Sequence, residues 1–284
     1  MFDREAIDEY ISKVETSLRK VNKPTKLPLK VGVDLGTAYI VIVVLDAEDN
    51  PVACEMKQAS VLRDGVVVDF IGAQAIVKEL KEKIEKRIGE KLTECAIAMP
   101  AGTESSTKTH QFVAEGADFE VINILDEPTA ANSIYNIEDG VVVDIGGGTT
   151  GLAIFENGKV VQIEDEPTGG THMSLVLSGN YQISFKDAEK MKLDYSKHKE
   201  ILPIVQPTIE KMATIVSSYI NKKKIKTIYL CGGTSNLTGI EDIFTDYTGI
   251  KTVKPKNPFL VTPSGIAKNC VKKNRKRKKK DNDV

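Results

Sequence analysis

The chain has 284 residues, 41% hydrophobic and 28% charged, an ordinary globular composition with length enough for two cores. Aromatic residues make up 6% and Trp is absent, which argues against a platform for stacking nucleic-acid bases. Net charge is −1, but eight basic residues crowd into Lys272–Lys280, so an acidic body carries a cationic arm that reads as solvated and salt-sensitive in its contacts.

The N-terminus lacks the basic region and apolar core of a secretory signal, and no run approaches the ~18 apolar residues of a membrane span. Cys54, Cys95, Cys231 and Cys270 share no metal or redox spacing and read as reduced structural thiols of a cytosolic protein. His110, His172 and His198 form no metal cluster.

In chain order, Ile7, Tyr10, Ile11, Val14, Leu18 and Val21 make one apolar stripe, which predicts a helix over 1–21. Asn22–Pro28 then breaks it as a linker. This helix is either a brace packed on the first domain or a docking element for a partner. The first half reads as strands at Lys30–Asp34, Tyr39–Asp46 and Val52–Lys57, then a hairpin around Asp64-Gly65. A helix over Gly72–Ile88, a strand Cys95–Met99, a helix Thr103–Glu115 with Thr103 as N-cap, and a strand Val121–Leu125 follow. Glu127-Pro128 opens a third helix.

The second half repeats the order. Strands fall at Gly140–Asp144, Gly151–Phe155 and Lys159–Glu166, and helices at Thr171–Ser178, Ser184–Lys192 and Pro203–Asn221. Lys226–Cys231 is a strand, Asn236–Phe244 a helix, Ile250–Val253 a strand and Thr262–Cys270 a last helix. Each half thus reads β-β-β-α-β-α-β-α. The expected fold is α/β: two duplicated domains of ribonuclease-H-like order flanking a cleft. The expected division is 1–28 helix and linker, 29–138 first domain, 139–270 second domain, and 271–284 a disordered basic tail.

Four strand-end loops carry unusual chemistry. In Val141–Phe155 an apolar run ends in Asp144, passes Gly146-Gly147-Gly148-Thr149-Thr150 and resumes. Such glycines admit an anion close to the backbone, and successive N–H groups form a nest for it. An acid at the strand end suits Mg²⁺ held through water. Val31–Ile42 repeats the grammar with Asp34, Gly36 and Thr37, as a duplicated phosphate-type hairpin would. Glu127 sits at a strand-to-helix junction, and Gly232-Gly233 leave room for a flat ring against the backbone. Singly, these features also read as tight turns or as first-turn complementarity to a helix dipole. Jointly they supply a water-handling acid, two acids around Mg²⁺ and a Gly/Thr cage, the parts needed to cleave a γ-phosphate.

The motifs Val33–Thr37, Asp126–Ala131, Val143–Thr150 and Gly232-Gly233 resemble the phosphate-1, first connecting, phosphate-2 and adenosine segments of the actin, Hsp70 and sugar-kinase ATPases. The intervening Val61–Ala73, Pro100–Thr103, Thr168–Leu175, Glu210–Ala213 and Thr262–Ala267 look like the Hsp70-like proteins of ethanolamine-utilisation operons. The resemblance spans roughly Lys30–Asn269. It implies ATP with Mg²⁺ held through water by Asp34 and Asp144, and Glu127 serving the attacking water. Gly36, Thr37, Ala38, Gly146, Gly147, Gly148, Thr149, Thr150 and Gly170 would surround the phosphates. Gly232, Gly233 and Thr234 would lie under the adenosine, and Thr129-Ala130 and Gly265–Ala267 would be the crossing segments on which the halves pivot.

The implied role is ATP-driven closure acting on a protein client, ethanolamine ammonia-lyase or a microcompartment protein, in the cytoplasm or at a microcompartment. The repeat uses all the residues between Thr37 and Glu127 and between Thr171 and Cys231. That leaves no room for the insertion carrying the Hsp70 catalytic lysine or for the lobe that clasps adenine. A non-hydrolysing or polymerising scaffold of the FtsA or PilM type is the alternative. A small-molecule kinase would need a base for a substrate hydroxyl, and none stands out.

Overall fold

A computed structural model describes residues 2–99, 104–220 and 225–272, without the side chains of 104–107. The Thr103 N-cap, the Pro100–Thr103 motif and the basic run past Lys272 lie outside the described residues.

The chain opens with α1 (Arg4–Ser17) and then builds its first sheet. The elements are β1 (Lys30–Leu35), β2 (Tyr39–Leu45), β3 (Pro51–Gln58), the short hairpin β4 (Leu62–Arg63) and β5 (Val66–Val67), α2 (Phe70–Ile88), β6 (Glu94–Met99), α3 (Glu104–Gly116), β7 (Glu120–Asp126) and α4 (Glu127–Tyr135). The second half runs β8 (Gly140–Ile145), β9 (Thr150–Glu156), β10 (Lys159–Glu166), α5 (Gly170–Tyr181), α6 (Phe185–Leu193), α7 (His198–Tyr219), β11 (Thr227–Cys231), α8 (Ile240–Thr248), β12 (Lys251–Val253) and α9 (Val261–Lys268). Two five-stranded sheets result, in orders β3-β2-β1-β6-β7 and β10-β9-β8-β11-β12. In each, the first three strands form an antiparallel meander and the rest add in parallel. The same topology twice bears out the duplicated α/β reading.

Local chemistry explains the elements. The strands β2 and β8 are buried on both faces and read as near-continuous Val/Ile runs. Asp69, Asp126 and Ser184 cap α2, α4 and α6 by accepting from Gly72, Thr129 and Asp187 backbone N–H groups. Two boundaries depart from expectation. The helix expected from Pro203 starts at His198, so Pro203 and Pro207 lie inside α7. Each costs a hydrogen bond, but the buried stripe Ile201, Val205, Ile209, Met212 and Val216 holds the helix against the sheet. The helix expected over Asn236–Phe244 splits into a 3₁₀ turn, Gly233–Asn236, and α8, because Gly239 between them takes a left-handed φ of 87°.

Both sheets face a shared central layer. There α4 and α9 cross, with Gly265 so close that a Cβ would lie 1.9 Å from the Ala130 carbonyl oxygen. The helix α1 closes the back of this layer and touches both halves. Its stripe Ile7, Ile11 and Val14 is buried among Val41, Val43, Cys54 and Leu260. The Arg87 guanidinium donates to Ser17 O at 2.7 Å in the first half. Asp8 Oδ1 accepts from Lys256 N at 2.6 Å in the second, and Phe2 packs on the rings of Tyr135 and Tyr229 at 5.4 and 5.0 Å. The apolar stripe is therefore occupied by the chain's own core, and the brace spans both domains rather than the first alone.

Replacing Ile11, 1% exposed, by Ala should cost about 2–4 kcal/mol of stability. Urea unfolding would read this as a lower midpoint at unchanged slope.

Candidate functional site

The carboxyl ends of β1, β7 and β8 meet at the floor of a cleft between the two sheets. Asp34, Glu127 and Asp144 line it, one from each strand end. Around them stand Gly36, Thr37 and Ala38 from the β1–β2 turn, Gly146 to Thr149 from the β8–β9 turn, and Gly232, Gly233 and Thr234 after β11. The cleft encloses about 1080 Å³ including its mouth.

The two glycine turns face each other closely. A Cβ on Gly148 would lie 2.8 Å from Thr37 Oγ1 and 2.8 Å from the Asp64 Cα. The β4–β5 turn closes over both, with Gly65 N donating to Thr37 Oγ1 at 3.4 Å. The β8–β9 turn is fixed from behind. Gly146 N donates to Thr149 O, while Gly170 N and Thr171 N donate to the Gly146 and Gly147 carbonyls. Thr234 Oγ1 donates to Gly146 O at 2.7 Å. Carbonyls of the turn are thus engaged on the helix side.

The floor is electrostatically unbalanced. Asp34 and Glu127 are enclosed by protein, though water reaches them through the cleft. Burial, then the Asp144 charge, pushes Asp34 up to about 7. Burial and the neighbouring acids Asp144, Asp34 and Asp165 raise Glu127 well above the usual carboxylate range. Burial also raises Asp144, opposed by hydrogen bonds from Thr262 and Cys231. Among the described residues no set of three or more His, Cys, Asp or Glu side chains is placed to ligate a metal directly. Three carboxyl groups lining one cleft are a donor set that a hydrated divalent cation fits.

Comparison with known proteins agrees with this layout. The family model of the cell division protein FtsA matches residues 141–270, and that of MreB/Mbl matches residues 52–193. The ethanolamine utilization protein EutJ of Escherichia coli K12 is 38% identical over 266 residues, 93% of this chain and 94% of that protein. The crystal structure of EutJ from Carboxydothermus hydrogenoformans is 46% identical, with a TM-score of 0.86 covering 93% of this chain and 98% of that one. The chain belongs to the EutJ family. Its actin-like fold extends further: the PilM–PilN pilus biogenesis complex matches at 13% identity and TM-score 0.72, covering 86% of this chain and 99% of that one. MreB5 of Spiroplasma citri, solved with ADP and with AMPPNP, matches at 20% and 0.66, covering 85% and 95%.

Within this EutJ-family cleft most expected residues converge, but two do not. The Thr150 hydroxyl turns away to Thr168 O at 2.5 Å and is buried. Gly170 lies behind Thr234, where a Cβ would meet Thr234 Oγ1 at 2.3 Å. Both shape the β8–β9 turn without lining the cleft. Gly232 takes φ 86°, and a Cβ there would sit 2.2 Å from Asp144 Oδ1. A side chain at this position would collide with the acid.

Of the two helices expected after the β8–β9 turn, the second also supplies cleft residues that the sequence did not single out. The pair α5–α6 forms a small lobe beside the cleft, and Glu189, Lys192 and Leu193 of α6 line it. Lys192 Nζ donates to Glu189 Oε2 and to Gly170 O, both at 2.9 Å. Burial lowers its pKa and Glu189 opposes the shift. A Glu-x-x-Lys spacing is common on solvated helices, so nothing in the sequence distinguished it. Tyr39 and Phe259, edge-to-face at 5.5 Å, complete the wall. Asp165, paired across the sheet with Gly151, is a half-buried acid outside the cleft lining whose charge bears on Glu127, and it is pushed up to about 7, chiefly by burial. Its inward position on β10 opposite a glycine is the signal that could have found it.

The four cysteines are buried and free, as expected of structural thiols. No helix among the described residues is long and apolar enough to cross a membrane.

Between the ordinary carboxylate range and about 7, folded Asp34 keeps a proton that the unfolded chain releases. Its contribution to stability therefore falls as pH rises through that window. Asp34→Asn should melt above wild type near pH ~8, and the gap should narrow toward pH ~5 and close only below about pH 4. Differential scanning calorimetry checks this; a variant melting lower at the higher pH contradicts it.

Proposed function

We propose that this chain binds Mg-ATP in the cleft and uses closure of its two domains to act on a protein client in ethanolamine utilisation. Ethanolamine ammonia-lyase and microcompartment proteins are the candidate clients, and the cytoplasm or a microcompartment surface is the setting. The observation that carries the reading is the pair of Gly/Thr turns facing each other over Asp34, Glu127 and Asp144. Backbone N–H groups of such turns suit phosphate oxygens, and three clustered carboxyl groups suit a hydrated divalent cation. The nucleotides in the MreB5 structures and the family names of the relatives support it.

In this reading the turns Gly36–Ala38 and Gly146–Thr149 hold the phosphates from opposite domains. A ligand gripped by both halves favours the closed state by its differential affinity. Mg²⁺, held through water by Asp34 and Asp144, would neutralise phosphate charge. Glu127, ionised in the loaded site, would orient the attacking water and take its proton. Gly232, Gly233 and Thr234 lie against the adenosine, while Glu189 and Lys192 face it from α6. The ion-paired Lys192 supplies a cation on this side.

A second reading is an assembly scaffold that binds nucleotide without turning it over. The FtsA-type match over the second domain and the likeness to PilM favour it. Pelleting with and without ATP separates the two: ordered ATP-dependent filaments support the scaffold, and a soluble ATP-dependent client complex supports the chaperone-type role.

Calorimetry should show Mg²⁺-dependent ATP binding that weakens at least ~10-fold in Asp144→Ala. Unchanged affinity in that variant would overturn the assignment. In single-turnover assays Glu127→Ala should slow any hydrolysis ~100-fold or more and leave ATP affinity within about threefold.

A further inference from the structure

Asp144 differs from the other acids of the floor in how the protein holds it. The Thr262 hydroxyl donates to Asp144 Oδ2, and the Cys231 thiol approaches the same oxygen at 3.4 Å. Its other oxygen is kept clear by Gly232, whose missing Cβ leaves the space beside Oδ1 open. Asp34 and Glu127 receive no such donors from the described side chains. One oxygen of Asp144 is thus committed to the protein, and the other takes no hydrogen bond from the described residues, the arrangement that orients a carboxylate toward a hydrated cation.

Thr262 sits in the first turn of α9, and the rest of α9 rests on the first domain. A Cβ on Gly32 of β1 would lie 2.3 Å from Ala267 N and 2.8 Å from Pro263 O. Gly265 abuts the Ala130 carbonyl of α4. Asn269 Nδ2 donates to Ser133 Oγ at 2.6 Å, and Asn123 Nδ2 donates to Asn269 O at 3.0 Å. A helix wedged against the first domain therefore reaches back, through one hydroxyl, to the acid of the second.

We infer that Thr262 is a positioning residue: it presents Asp144 to the cation and ties occupancy of that site to α9, the helix joining the two domains. This deepens the Mg-ATP reading and rests on it. Any displacement of Asp144 on loading would pass through the Thr262 hydroxyl to a helix that has no slack, because glycines at 32 and 265 already bring backbone to backbone contact. Closure then answers to the cation as well as to the phosphates.

The test uses the full chain, ATP titrated by calorimetry in Mg²⁺ and in EDTA, and amide hydrogen exchange. Thr262→Val keeps the shape and removes the donor. It should lose about tenfold in affinity in Mg²⁺, the scale of one hydrogen bond to an ionised group, and stay within about twofold in EDTA. Thr262→Ser should restore wild-type behaviour. At saturating Mg-ATP the valine variant should also lose the added protection over 130–133 and 263–269 that wild type gains. Equal affinity in valine and wild type overturns the inference, as does an equal loss with and without Mg²⁺, which marks a merely structural hydroxyl. If the valine variant does not fold, Thr262→Ala is read by the same criteria. A wild-type chain that binds no ATP under either condition overturns the Mg-ATP reading itself, a result distinct from failure of the Thr262 role.

Discussion

Three carboxylates share one cleft floor, and among the described residues no basic side chain on that floor neutralises them. Lys192, the cation in the cleft wall, is already paired with Glu189 and a carbonyl. Burial and mutual repulsion therefore push protons onto Asp34 and Glu127, while Asp144 is steadied by two donors. The protein meets the cost of burying charge in two ways, by retaining protons and by fixing one anion. A divalent cation offers a third.

Placing acids from two domains on one floor constrains the rest of the fold. The ends of β1 and β8 face each other only if the two sheets present equivalent edges, which the repeated strand order provides. Their approach is set by α4 and α9, whose crossing requires a residue without a side chain at Gly265. The brace α1 covers the outside of this crossing and touches both halves. Close approach and covering surface thus come from different parts of the chain and serve one distance, that between the two glycine turns.

The features legible in the sequence are those fixed by local chemistry. Strand-end acids followed by glycine and threonine need specific backbone shapes, so Asp34, Gly36, Asp144 and Gly146 stand out in any register. Duplication made them legible twice. What escaped was relational. Thr150 continues the motif in sequence but falls on the first residue of β9, where alternation turns it away from the cleft. Gly170 belongs to a glycine pair, yet its N–H supports the turn from behind. Lys192 and Thr262 look like surface-helix and helix-start residues, and only the packing of α6 and α9 makes them neighbours of the site. The brace was legible as an amphipathic helix, but its stripe does not say which domain it covers. The two prolines of α7 mislead for the same reason, since local propensity yields there to a buried face.

The small size of the walls sharpens the role of the crossing helices. One side of the cleft is covered by a six-residue hairpin span whose turn touches both phosphate-type loops. The other is covered by the short α5–α6 pair. Neither wall is long enough to act as an independent lever, and both are hydrogen-bonded directly to the loops they flank. A change at the loops is therefore transmitted locally on the open side of the cleft. On the closed side it meets α9, packed without slack between β1 and α4. Packed cores are bistable rather than continuously deformable, so α9, held backbone to backbone at Gly32 and Gly265, has no room to yield gradually to a shift at the floor.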